Sequence, residues 1–333
     1  MGQALGRAIN VTEYIFPALP PTYDDSLEYL VKIGTEVDLD VPAALLAPSV
    51  EDKRTLGSLA TICVIYFHPN AADIGDCVTE MEMIRDGAFD GDAIVLAPEY
   101  PGYGLLLEYA PTMEGIDRVA VAAWSYTTKE LGFPPERVVL WGRSIGCGPS
   151  ANLAVSVAKS RVAASDEQKE PPLRPVGGVV LVAPMISIIK VAEAHTNALA
   201  ASLVTPLWEV QSLIADPSLK DVPLCILHPA EDEIIPPCHG AAVLETCSAR
   251  HRLGIWLRGA THNFVLQEEH LERTGDFLSS QLGLVRGDCT SLQVERLQQS
   301  DVQGDDPDED DRQEIISRLV WWSVSGRADT LRQ

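Results

Sequence analysis

Six short apolar runs limit what this chain can fold into. ICVIYF, AIVLAP, VVLWG, GVVLVAP, PLCILHP and LGIWL follow one another between residues 60 and 258, and segments of helical character separate them. A run this short and this uniformly apolar reads as a strand covered on both faces, which is the signature of a parallel sheet. Strands and helices that alternate throughout point to an α/β protein, a mostly parallel sheet with helices on both sides. Residues 27–47, LEYLVKIGTEVDLDVPAALLA, instead alternate apolar and polar positions and read as an antiparallel strand pair ahead of the parallel part.

Between the strands, DCVTEMEMIRDGAF, MEGIDRVAVAAWSYTTKEL, residues 144–160, CHGAAVLETC and LQEEHLERTGDFLSSQL have helical character. Gly132 and Pro134-Pro135 end the second of them. Residues 160–176 are polar and proline-rich and read as a long surface loop. Residues 186–219 have mixed helical character and could cap a pocket. No internal repeat is evident. Beyond residue 286 the composition changes. DVQGDDPDEDDRQ (301–313) reads as disordered, and the segment after it, with Trp321-Trp322, regains helical character and either docks back onto the domain or binds something else. The chain therefore divides into a leader (1–26), a core domain (27–285) and an acidic tail (286–333).

The net charge of −23 over 333 residues argues against nucleic acid as a partner and against electrostatic adhesion to an anionic membrane. Seven cysteines without metal-ligand spacing read as reduced thiols in a cytosolic setting. No apolar run is long enough for a membrane span. Met1-Gly2 offers an acceptor for myristate, but Gly6 stands where that motif has Ser or Thr. Leu5, Ala8, Ile9, Thr12, Ile15 and Phe16 fall near helical spacing. They describe either a helix packed on its own domain or a weak interfacial anchor giving peripheral contact with the cytosolic face of a membrane.

The chemistry is concentrated where one apolar run meets a helix. Gly142-Arg143-Ser144-Ile145-Gly146 puts a serine between two glycines at a strand-to-helix turn. Such a turn lifts a hydroxyl out of the sheet, and the glycines let neighbouring backbone pass close by. A serine needs a base, and the base needs an acid to hold its tautomer. On this arrangement the chain order is Ser, acid, His. ILHPAEDEIIP supplies the acid just past a strand, with Asp232 favoured over its neighbours Glu231 and Glu233. LRGATHNF supplies His262 just past the last strand. His228, His239, His251 and His270 are the other candidates for the base, and His251 and His270 read as structural. The backbone N–H of Ile145 is one expected oxyanion donor. The second is expected from YFHPNAADIG, at Asn70 or Ala71, since Pro69 has no N–H. PEYPGYG, with Tyr100, Gly102 and Gly104, reads as a loop beside the site without a catalytic role.

Taken together, FHPNAADIG, PEYPGYG, WGRSIG and HPAEDEIIPPCHG…GATHNF, with the leader YIFPALPPTYDD, resemble the α/β-hydrolase-domain proteins of the family 17 type. The likeness spans roughly residues 1–284. It implies an α/β-hydrolase fold and a serine hydrolase without metal or organic cofactor. Animal members of that family remove palmitate from membrane-attached proteins by thioester hydrolysis. The chain departs from the family pattern at Pro69 and Pro229, where glycine is usual, and it lacks the N-terminal cysteine cluster.

The expected function is hydrolysis of ester or thioester bonds through an acyl-enzyme on Ser144. An acylated protein is the expected substrate, and a small acyl ester the alternative. A non-catalytic binding protein, working through the acidic tail and the Trp321-Trp322 helix, is the rival from another class.

Overall fold

The computed structural model describes residues 16–17, 19–36, 39–47, 53–165, 175–196, 201 and 204–284. The leader around Gly2 and the tail helix at Trp321-Trp322 lie outside these residues, as do residues 166–174 of the expected long loop.

Eight strands form one sheet. β1 (Leu30–Gly34) and β2 (Asp40–Leu46) are the antiparallel pair. β3 (Ile62–Phe67) and β4 (Ala93–Pro98) follow, then β5 (Val138–Arg143), β6 (Gly178–Val182), β7 (Leu224–Pro229) and β8 (Arg252–Leu257). The order across the sheet is β1-β2-β4-β3-β5-β6-β7-β8. β2 joins β4 antiparallel, and every pairing from β4 to β8 is parallel. The chain runs from β3 to β4 in one direction and then returns to the other side of β3 with β5. The strand order therefore reverses between β3 and β5, and open α/β sheets leave a crevice at such a point, at the carboxyl ends of the strands.

The main helices are α1 (Ile74–Met83), α2 (Met113–Ser125), α3 (Cys147–Ser165), α4 (Ile188–His195), α5 (Val210–Ile214), α6 (Pro237–Thr246) and α7 (Glu268–Leu282). Alternation along each strand sorts the core into two layers. Ile65 and Phe67 of β3, Leu140 of β5 and Leu181 of β6 pack with α2, α3 and α6. Val64 and Tyr66, Val139 and Trp141, and Val180 and Val182 pack on the opposite face with α1 and α7. α1 opens on a capping box. Asp73 accepts from the N–H groups of Gly75 and Asp76, and Asp76 accepts in return from the Asp73 N–H.

One boundary differs from the sequence expectation. α3 continues to Ser165, five residues into the segment expected to be loop, because VAKSRVAAS holds no helix breaker. The mixed region 186–219 contains α4 and α5, and Met185, Leu207, Trp208 and Val210 pack into the α2/α3 layer. No helix among the described residues is long and apolar enough to cross a membrane.

Ile65 is fully buried in the central strand, whereas Val121 on α2 is 47% exposed. Ile65→Ala is expected to cost about 2–5 kcal/mol in denaturant unfolding. Val121→Ala should stay within about 0.5 kcal/mol of wild type.

Candidate active site

The strand-to-helix turn after β5 is tight in a measurable sense. Ser144 has φ +52°, in the left-handed region that side-chain-bearing residues rarely occupy. A Cβ on Gly142 would lie 2.3 Å from the Gly146 carbonyl oxygen, and one on Gly146 would lie 2.1 Å from the Phe67 carbonyl oxygen. Both contacts are with backbone, so nothing larger than glycine fits without moving β3 or the turn. The chain then enters α3 through a single 3₁₀ turn, Ser144–Gly146.

The expected partners converge on this serine from loops 30 residues apart. Ser144 Oγ lies 3.2 Å from His262 Nε2. His262 Nδ1 lies 2.8 Å from Asp232 Oδ2 and 3.0 Å from Oδ1. The carboxylate allows one tautomer, in which Nδ1–H donates to Asp232 and Nε2 accepts from the serine hydroxyl. All three residues are buried. Asp232 sits in a turn of its own making, since Oδ1 accepts from the N–H groups of Ile234 (3.0 Å) and Ile235 (2.7 Å). Burial pushes the Asp232 carboxyl up. The bonds from His262 and Ile235 and the nearby imidazoles outweigh that push, so it is held below the usual carboxylate range.

The flanking acids have a different task from Asp232. Glu233 Oε2 accepts from the His262 N–H at 3.0 Å, and Glu231 Oε1 accepts from the Gly259 N–H at 3.1 Å. Both grip the backbone of the histidine loop. Three of the competing histidines, His228, His239 and His270, are braces, and so is His195. His228 Nε2–H donates to the Ile235 carbonyl at 2.8 Å, and His195 Nε2 lies 2.7 Å from the Ile234 carbonyl. His239 Nδ1 accepts from the Ile186 N–H at 3.2 Å. His270 accepts from the Gln267 N–H at the start of α7, and His251 is exposed just before β8.

The loop after β3 runs against the elbow. A Cβ on Gly146 would also lie 2.9 Å from the His68 carbonyl oxygen. Ile145 is the first residue past Ser144. Asn70 and Ala71 lie in the facing loop, Ala71 with φ +57°. The Tyr103 hydroxyl donates to Asn70 Oδ1 at 2.6 Å and fixes that side chain.

Sequence reasoning missed what holds this loop. Glu99, completely buried at the end of β4, accepts from the N–H groups of Tyr100 (3.1 Å) and Ile74 (3.3 Å) and from the Tyr23 hydroxyl (3.0 Å). His68 Nε2 lies 3.1 Å from Glu99 Oε1, and the His68 ring stacks on Tyr100 at 3.8 Å. The Tyr100 hydroxyl donates to the His68 carbonyl. Burial first, and then neighbouring ionisable groups, raise the Tyr100 and Tyr103 phenols well above their usual value, so both remain donors. The signal was an acid directly after an apolar strand, where only a satisfied carboxylate survives. Arg143, inside the G-x-S-x-G motif, was also passed over. It reaches away from the elbow to Glu80 and Phe264.

Among the described residues no group of His, Cys, Asp and Glu is arranged to hold a metal ion. What the arrangement can do is raise the nucleophilicity of a hydroxyl next to the loop that follows β3.

Gly146→Ala is expected to cost roughly 1–3 kcal/mol in chemical denaturation, because the backbone of β3 must give way. A pH prediction follows from His239, which burial, and next the neighbouring His228, hold down to about 4 from 6.5. The unfolded chain binds that proton more tightly than the folded one. The stability contribution is therefore intact above about 6.5 and declines toward pH 4, by up to about 3 kcal/mol. Urea midpoints measured across this window should fall for wild type and fall less for His239→Gln.

A scan against protein-family models finds no match for this chain. Individual relatives are clear. The human protein "Alpha/beta hydrolase domain-containing protein 17B" is 31% identical over 227 residues, 67% of this chain and 68% of that protein. The mouse protein 17C of the same series is 26% identical over 253 residues, 74% of this chain and 70% of that one. Aho-3 of Caenorhabditis elegans, also an alpha/beta hydrolase domain-containing protein, is 27% identical over 229 residues, 67% of this chain and 59% of that one. Among solved structures, the carboxylesterase EstE1 from a metagenomic library superposes with a TM-score of 0.50 at 16% identity, over 76% of this chain and 87% of that chain. A puromycin hydrolase does so with a TM-score of 0.53 at 13% identity, over 80% and 41%. These two establish the fold alone, the α/β-hydrolase fold. With a Ser–His–Asp geometry at the end of such a sheet and a human relative this similar over two thirds of both chains, the protein belongs to the alpha/beta hydrolase domain-containing protein 17 family.

Proposed function

We propose that the protein is a serine hydrolase of ester and thioester bonds, with an acylated protein as substrate. One observation carries this reading: a serine hydroxyl in a strained elbow, 3.2 Å from an imidazole whose far nitrogen is held at 2.8 Å by a buried carboxylate. Family membership supports hydrolysis as the reaction type, and the reduced-thiol reading of the cysteines is consistent with work on the cytosolic side of a membrane.

In the first half-reaction Ser144 Oγ attacks the acyl carbonyl carbon while His262 Nε2 takes its proton. The carbonyl oxygen becomes an oxyanion. On this reading it accepts from the Ile145 N–H and from an N–H of the Asn70–Ala71 loop. Asp232 bonds Nδ1–H throughout and stabilises the imidazolium. As the carbon–sulfur or carbon–oxygen bond breaks, His262 returns the proton to the leaving thiolate or alkoxide. Water, deprotonated by the same Nε2, then attacks the acyl-enzyme. The acid leaves and Ser144 Oγ regains its proton.

Small carboxylic esters are the alternative substrates. The ratio of kcat/KM on a palmitoyl-cysteine peptide to that on a short aryl ester separates the two, and a ratio above one favours the thioesterase reading.

Wild type should label with a fluorophosphonate probe, and Ser144→Ala should not label at all. Absence of label on folded wild type would defeat the proposal. Asp232→Asn is a sharper test. The Ile234 and Ile235 N–H groups fix the oxygen of the amide, which turns its NH₂ toward His262 Nδ1. That selects the tautomer with Nε2 protonated, which cannot accept the serine proton. The expected outcome is a folded protein with kcat reduced by roughly 10³-fold or more.

A further inference from the structure

Arg143 is the residue immediately before the elbow serine, and its side chain is only 14% exposed. It continues the Val139–Trp141 face of β5, so it points toward α1 and α7. There its guanidinium forks. Nη1 donates to Glu80 on α1, and Nη2 donates to the Phe264 carbonyl at 2.6 Å. The guanidinium carbon also lies 4.8 Å from the centre of the Phe264 ring. Burial disfavours the charge, but Glu80 more than offsets it and keeps the group protonated.

Phe264 is two residues beyond His262. The first half of the loop that carries the imidazole, from Gly259 to the start of α7, is held by the carboxylates of Glu231 and Glu233, by Asp232 on the imidazole itself and by the Glu231 N–H, which donates to the Ala260 carbonyl at 3.1 Å; beyond His262, Arg143 grips the backbone at Phe264. Glu231 and Glu233 are exposed, and exposed carboxylates hold backbone weakly because water competes for every bond. Of the side-chain bonds from Glu231, Glu233 and Arg143 to this loop's backbone, the Arg143 bond is the driest. It is charge-assisted and backed by a counter-ion, and an aromatic face fixes its plane. It also starts one peptide bond from Ser144. We propose that Arg143 is a positioning residue that locks the histidine loop to the nucleophile elbow and so sets the Ser144–His262 distance. The inference rests on Ser144 and His262 being the catalytic pair. Lysine is a poor substitute, since a point charge cannot span Glu80 and the Phe264 carbonyl while lying against a ring.

The test uses the full chain with Arg143→Met, Arg143→Lys and Glu80→Gln. Hydrogen exchange of peptides covering 258–267 reads the loop directly. Fluorophosphonate labelling rates, with kcat and KM on an acyl thioester, read the consequence, and thermal melts give the folded fraction. The clamp predicts that Arg143→Met speeds exchange in this loop and leaves the sheet protected. It further predicts labelling and kcat at least tenfold lower per folded molecule, KM within about twofold of wild type, and partial recovery in Arg143→Lys. A shift of about 1 Å at a reacting pair is enough for a loss of that size. Should the Met variant not fold, Glu80→Gln must move both readouts in the same direction and by less. Unchanged loop exchange overturns the proposal, as does a loosened loop with wild-type labelling, or a rate loss that only tracks the unfolded fraction with Lys no better than Met. Failure of wild type to label would remove the catalytic reading beneath it, which is a different result from normal wild-type labelling with an indifferent Arg143→Met.

Discussion

Everything at the carboxyl edge of the sheet depends on how closely the turn after β5 lies against the end of β3. With hydrogen at the α-carbon of Gly146, the Phe67 carbonyl can approach to a distance at which a methyl group would overlap it. That approach aligns the start of α3 with the loop at 68–71 and leaves Ser144 the only conformation that fits, one with positive φ. The strain, on the order of 1–2 kcal/mol, is sustained by the fully buried strands on either side. A sheet edge less tightly packed would let the serine relax and withdraw its hydroxyl.

Around this contact the protein buries two carboxylates. Glu99 and Asp232 lie at the ends of β4 and β7, and each carboxylate is matched to a set of donors. Neither is left as an isolated charge, which the interior would not tolerate. The two play parallel parts on opposite sides of the elbow, one fixing the loop that faces the serine and the other fixing the imidazole.

Local sequence carried the fold well and the site unevenly. The apolar runs predicted every parallel strand, because burial on both faces leaves no choice of residue there. Ser144, Asp232 and His262 were readable from their order and from their places after strands. Glu99 was harder to read, since its place straight after an apolar strand is the one local sign and its partners Tyr23 and Ile74 come from distant segments. Arg143 escaped for a related reason. A charged residue inside a turn motif looks exposed until α1 and the Phe264 loop are folded over it. The extension of α3 to Ser165 shows the opposite limit, where polar composition suggested a loop but propensity kept the helix going.

Three consecutive acids, Glu231, Asp232 and Glu233, all engage the stretch from Gly259 to His262. Their spacing along one backbone must therefore match the spacing of three groups on the other. An insertion or deletion of one residue in either loop would put all three pairs out of register together, so neither loop can drift in length on its own during divergence. The histidine side of the site is therefore free to change length only as a single block.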